Sequence, residues 1–331
     1  MTSQSRSVER TPRRAIVFGG GGVLGGTWAV GALSAWEQTT GLRAKDADIL
    51  VGTSAGSVLA SLVACGASTD ELIAHYQDEQ VTTGPLAGYQ WDPDRAAGGH
   101  KPGVPRLRGP GSPALIRSSL RHLGQLPATT VLSAFLPEGV RSLDRVGHLI
   151  DAVTPFGEWS SHQNLWVGAL DSNDGHRVVL VRAWAPVAPR SSAVMASCAI
   201  PGWFTPVDIG GRTYVDGGAV SATSVDVIAH SGLDEVYVIA PMVSFEMDSP
   251  SGIPARLERR WRAQVTKVCR DELALVRASG ARVYALGPGR EDLEAIGANL
   301  MDSSRRKLVL DTSLRTSAHA WRDEFAERLA G

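Results

Sequence analysis

Cysteine is scarce in this chain, with 3 residues at Cys65, Cys198 and Cys269. An odd count without a CxxC pair makes neither a disulfide framework nor a metal-ligating pattern. A reducing compartment is the expectation that follows. Net charge is lacking too. The 33 Lys and Arg nearly cancel the 34 Asp and Glu, leaving −1, so the total gives no reason to expect a nucleic-acid partner. No apolar run approaches the roughly 20 residues a bilayer-spanning helix needs. Met1 to Arg14 is polar and basic, with no apolar stretch before Ala15, and does not read as a secretory signal. A cytoplasmic protein is expected, with any membrane contact peripheral.

The chain has what a full-sized core requires. Of its 331 residues 43% are apolar and 20% charged, ordinary values for a folded protein. Residues 1–12 read as a disordered tail, and 13–331 as one domain. Short β-rich runs then alternate with helical ones. Arg14–Phe18, Asp48–Val51, Leu165–Leu170, Arg177–Trp184, Glu235–Ile239 and Arg282–Leu286 read as strands. Thr27–Trp36, Ser54–Cys65, Leu143–Val153, Ser192–Ala199, Arg256–Ser279 and the C-terminus read as helices. Val207–Val215 reads as a hairpin turning at Gly210-Gly211. Such alternation predicts an α/β fold, a three-layer sandwich with a central, mostly parallel sheet. Between 82 and 113 the chain is rich in Gly and Pro, which favours a lid or loop over regular structure. Arg95, Lys101, Arg106, Arg108, Arg117 and Arg121 make the segment from there to Pro137 locally basic, with Trp91 nearby. It is a candidate for peripheral contact with anionic membrane.

Three glycine-marked elements carry chemistry. Gly52-Thr53-Ser54-Ala55-Gly56 is a G-x-S-x-G between a predicted strand and a predicted helix, the setting of a nucleophile elbow. Small residues at Gly52 and Gly56 let the turn close, which exposes the Ser54 hydroxyl and aims the Ala55 N–H at a developing oxyanion. Gly20, Gly21 and Gly22, followed by Gly25, lie after the first strand. Bare backbone there can turn N–H groups toward anionic oxygen. The same run satisfies G-x-G-x-x-G, so a dinucleotide-binding oxidoreductase competes. That fold expects an acid at the end of the second strand, where this chain has Ser54. The third element is Asp216-Gly217-Gly218. His230 and His319, the only histidines after Asp216, fall in helix-like stretches and read as structural. An aspartate against the serine can serve as base if burial raises its pKa.

In this order the three elements resemble the patatin-like phospholipase family. Ala196 to Gly218 resembles that family's approach to its catalytic aspartate, and Ala169-Leu170-Asp171 the segment before it. The resemblance implies a patatin-like fold and a Ser54–Asp216 dyad. It implies an oxyanion hole from Gly20, Gly21, Gly22 and Ala55, no metal or cofactor, and a lipid or other acyl ester as substrate. Two departures stand out. Leu24 occupies the place of a common Lys or Arg, and Ala219 to Ala222 replaces a frequent Asn-Pro. A non-catalytic lipid-binding protein on the same fold is the alternative they leave open. Trp203 and Phe204 are candidates for an acyl pocket.

Overall fold

The computed structural model describes residues 11–90, 136, 139–154, 159, 162, 164–181 and 189–330. Most of the expected N-terminal tail, the 91–113 part of the Gly/Pro-rich loop, and the basic segment with Trp91 lie outside these residues.

The strand β1 (Arg14–Phe18) lies between β2 (Ile49–Thr53) and β7 (Glu235–Ile239), parallel to both. Ala15 to Phe18 and all of β2 and β7 are buried. Burial on both faces is why these strands read as apolar runs without alternation. The remaining strands are β3 (Leu165–Asp171), β4 (Arg177–Leu180), β5 (Val207–Ile209), β6 (Arg212–Asp216) and β8 (Arg282–Leu286). Eight strands form one sheet in the order β5-β6-β3-β2-β1-β7-β8, with β4 also on β3. The β5–β6 turn falls at Gly210 and Gly211, whose φ angles of 58° and 78° suit a tight hairpin.

Among the described residues the α-helices are α1 (Gly22–Thr40), α2 (Ala55–Ala64), α3 (Thr69–Tyr76), α4 (Asp144–Val153), α5 (Arg190–Cys198), α6 (Ile253–Ala278), α7 (Arg290–Ile296) and α8 (Arg306–Ala330). Ile16 and Phe18 of β1 pack with α1, α2 and α8 on one face of the sheet. Ala15 and Val17 pack with Cys269, Leu273 and Val276 of α6 on the other. The alternation of side chains along a strand thus feeds two cores, and the three-layer expectation is met.

The sequence reading missed α3 and α7. Ser68-x-x-Glu71 was the available sign for α3: Ser68 Oγ accepts the Glu71 N–H at 3.2 Å, and Glu71 Oε2 accepts the Ser68 N–H at 2.8 Å. This is a capping box. Between Asp216 and His230, where a helix-like stretch is expected around the histidine, the chain forms two 3₁₀ turns, Gly217–Ala219 and Val225–Ile228.

The edge of β3 decides where the site forms. Val167 and Gly168 pair with β2 and β4 at once, and Ala169 and Leu170 pair with β6 and β4. A strand has only two edges, so β2 and β6 share one of them. β2 runs parallel to β3 and stops at Thr53, opposite Gly168. β6 runs the other way and stops at Asp216, opposite Ala169. Two strands therefore meet end to end, and the residues at their tips are Ser54 and Asp216.

Candidate active site

Ser54 has φ 54° and ψ −129°, a region that costs a non-glycine residue roughly 1–3 kcal/mol. Close packing of the flanking glycines holds the turn. A Cβ on Gly52 would lie 2.4 Å from Ser57 Cα, and one on Gly56 would lie 2.1 Å from the Phe18 carbonyl oxygen. Ser57 donates to the Ser54 carbonyl through both its N–H (2.8 Å) and its hydroxyl (2.7 Å). The Ser54 N–H donates to Ser197 Oγ at 2.8 Å, and the Ser197 hydroxyl donates to the Gly168 carbonyl at 2.6 Å. Ser197, on α5, thereby ties the elbow to β3.

The Ser54 hydroxyl donates to Asp216 Oδ2 at 2.6 Å. The other carboxylate oxygen, Oδ1, accepts the Gly218 N–H at 2.7 Å. Gly217 must be small, because its Cβ would sit 2.5 Å from the Gly168 carbonyl oxygen. Both Ser54 and Asp216 are buried. Burial pushes the Asp216 carboxyl up to about 6, against the opposing pull of its bonds from Ser54 and Gly218. A carboxylate so placed holds a proton more readily than one in water.

The glycine loop runs beside the serine. A Cβ on Gly20 would lie 3.1 Å from Ser54 Cβ, and one on Gly21 would lie 2.8 Å from both Gly25 Cα and Pro241 Cβ. Gly25 is held in turn by Pro241, 3.0 Å from where its Cβ would be. Gly20 needs correction as an oxyanion donor, because its N–H already donates to the Ala222 carbonyl at 2.8 Å. That carbonyl sits on a segment fixed from α6, where Glu272 accepts the Thr223 hydroxyl at 2.6 Å and the Val225 N–H at 3.1 Å. Among the described residues, the N–H groups of Gly21, Gly22 and Ala55 have no acceptor. Gly22 and Ala55 open α1 and α2, so two helix N-termini bring their positive ends to one place.

A cleft of about 620 Å³, including its open mouth, adjoins Ser54 and is lined by Val58, Val146, Ile200, Phe204 and Met301. Phe204 lines it as expected, whereas Trp203 packs against the core. The cleft also contains Arg306, whose Nη2 meets Asp78 Oδ2 at 2.5 Å. No motif marks Arg306, and nothing singles out Ser197 within the Ala196–Gly218 stretch. Leu24 is fully buried, so the place of the family's cation is filled here by core. His230 is exposed in a turn, not a helix. His319 is exposed on α8, 3.3 Å from Asp323.

A family model for patatin-like phospholipases matches residues 16–228. The chain belongs to the patatin-like phospholipase family. Membership supports lipid acyl hydrolysis in general terms, and both Ser54 and Asp216 fall within the matched residues. This patatin-like chain is similar to several solved structures, among them the following two. VipD from Legionella pneumophila shares 15% identity at a TM-score of 0.41, over 92% of this chain and 68% of VipD. The type III effector protein ExoU shares 14% identity at a TM-score of 0.36, over 95% of this chain. The chain spans about half of ExoU, 53%. No curated protein matches the chain in sequence. No helix among the described residues is long and apolar enough to cross a membrane.

Proposed function

We propose that the protein is a serine acyl-ester hydrolase acting on lipids, with Ser54 as nucleophile, Asp216 as base and residues 13–331 forming one unit. The observation that carries the reading is the 2.6 Å bond from the Ser54 hydroxyl to a buried carboxylate, beside the unengaged N–H groups of Gly21, Gly22 and Ala55. The apolar cleft at Ser54 supports an acyl chain as the bound part of the substrate.

In this mechanism Asp216 takes the Ser54 proton as Oγ attacks the ester carbonyl carbon. The carbonyl oxygen gains the negative charge and meets the three N–H groups. Fixed donors stabilise that charge without reorganising, and loss of one costs about 10²–10³ in rate. The intermediate collapses, the ester C–O bond breaks, and Asp216 returns the proton to the departing alcohol. A water then enters, gives its proton to Asp216 and attacks the acyl-Ser54 carbonyl. Collapse frees the acid, and Ser54 recovers its proton.

The test is hydrolysis of p-nitrophenyl esters and phospholipids, with labelling by a fluorophosphonate. Wild type is expected to turn over and to be labelled at Ser54. Ser54→Ala and Asp216→Asn are each expected to fall to background. Full turnover by either variant would end this reading.

A further inference from the structure

The helix α6 is inside out over its first half. Glu258, Arg259 and Arg262 are buried, while Ile253, Leu257 and Trp261 are 72%, 59% and 45% exposed. The buried charges pair with one another and with backbone. Arg262 Nη2 meets Glu258 Oε1 at 2.7 Å, and its Nη1 donates to the Pro241 carbonyl at 2.6 Å. Arg259 bridges Glu258 and Asp248. The inward contact of this half is therefore polar, and its large apolar side chains face outward. Val268 and Leu275, also exposed, continue the same stripe at intervals of seven residues. An apolar stripe of this length on a water-facing helix marks a contact surface.

Charge selects the occupant. At about 100° per residue, Arg256, Arg260 and Lys267 run along one flank of the stripe, and all three are exposed. Arg270 lies over the exposed Phe245 ring at 5.7 Å. Asp271 is the one exposed acid on α6, and it pairs with Lys267 at 3.3 Å. The face thus combines Trp, Leu and Ile with a row of cationic side chains, the composition of a helix lying on an anionic lipid interface. A second copy of the chain would bring the same row of cations to the same seam, which disfavours self-pairing.

Position agrees with charge. The Arg262 bond to the Pro241 carbonyl places the first half of α6 beside the residue that packs on Gly21 and Gly25. The outward apolar trio is therefore at the end of the sheet that carries the elbow. We infer that the outward face of α6, centred on Leu257 and Trp261 and flanked by Arg256 and Arg260, docks the protein on an anionic phospholipid surface. The inference rests on the lipid-hydrolase reading, and it moves peripheral contact from the basic segment 95–121 to α6.

The experiment is sedimentation of the full chain with phosphatidylcholine vesicles, with and without phosphatidylglycerol. It is run beside hydrolysis of a soluble p-nitrophenyl ester and thermal unfolding. Wild type is expected to partition onto the anionic vesicles and much less onto neutral ones. Replacing two cations in R256Q/R260Q is expected to lower that partition about thirtyfold. L257E/W261E is expected to abolish it, with soluble-ester turnover and unfolding temperature unchanged in both variants. Ser54→Ala is expected to sediment as wild type. If Ser54→Ala still turns over ester, the hydrolase reading fails while the sedimentation result stands on its own. Wild-type sedimentation of both α6 variants would overturn the docking inference. So would equal binding to the two vesicle types, or a dimer that L257E/W261E dissociates without effect on vesicles.

Discussion

Ser54 and Asp216 reach the same place by different means. Ser54 is set by its own neighbours. Gly52 and Gly56 close the turn, Ser57 clamps its carbonyl, and the backbone is strained at φ 54°. Asp216 has an ordinary extended backbone, φ −51° and ψ 126°, at the tip of an unremarkable hairpin. Its position comes from pairing register. β6 ends opposite Ala169, one residue beyond the Gly168 at which β2 ends. A one-residue slip of β6 would send the carboxylate to the other face of the sheet. The serine is thus set by a local device, and the aspartate is delivered by topology.

The largest test of that contrast places a methyl group in each region. Gly56→Ala drives Cβ to 2.1 Å from the Phe18 carbonyl, against a central strand paired on both sides. The elbow has no room to yield, and soluble protein with ester turnover is expected to be lost altogether. Gly217→Ala meets the Gly168 carbonyl at 2.5 Å, but it opens a 3₁₀ turn that can shift. Overpacking of this kind costs about 1–3 kcal/mol, and a displacement near 1 Å lowers kcat about 10²-fold. Unfolding temperature and kcat, measured together, check both. Equal and complete loss in the two variants would erase the distinction between a rigid local turn and an adjustable register.

The two residues also burden the fold differently. Asp216 carries its cost as charge. Its folded pKa is raised to about 6 by burial, above the unfolded value near 3.9. Between these values the folded chain binds the proton and the unfolded chain does not. Stability is therefore present below about pH 4 and is lost as pH rises through about 6. At pH 7 ionised Asp216 costs up to ~3 kcal/mol. Asp216→Asn is expected to unfold at a higher temperature than wild type at pH 7, with the gap closing near pH 4. Wild-type turnover runs the other way, falling below about pH 6 as the base becomes protonated. Ser54 carries its cost as backbone strain, so Ser54→Gly is expected to gain roughly 1–3 kcal/mol near pH 4, and less above about pH 6, where ionised Asp216 has lost the Ser54 hydroxyl bond. No gain in Ser54→Gly near pH 4, or none in Asp216→Asn at pH 7, would break the comparison.

The same contrast explains what could be read from the residues. Gly52 to Gly56 announces a turn because the steric demand and the residues that meet it are adjacent. Arg14–Phe18, Glu235–Ile239 and Arg282–Leu286 match their strands because burial on both faces leaves a short apolar signature. That the Gly20 N–H is engaged was not legible, since its acceptor Ala222 lies on a distant segment held by buried bonds from α6 and β2. Arg306 enters the cleft from α8, at the far end of the chain. The start of α6 misled the reading. Ile253 to Ala255 extend the helix ahead of the expected Arg256 because Pro254 sits within its first turn, where a missing N–H does no harm.

The smallest effect comes from the residue that joins the two regions. Ser197 accepts the Ser54 N–H and donates to the Gly168 carbonyl, so the local turn is pinned to the strand that positions Asp216. Ser197→Ala leaves that N–H buried without an acceptor, at a cost of about 1–3 kcal/mol. Alanine fits the space, so the fold should survive. The expected result is kcat lower by about tenfold with KM little changed, because an unpinned elbow spends part of its time out of line with the carboxylate while the acyl cleft is untouched. Loss of stability without loss of kcat would show that Gly52, Gly56 and Ser57 hold Ser54 unaided. A fall in kcat would mean that even the local device borrows its alignment from β3.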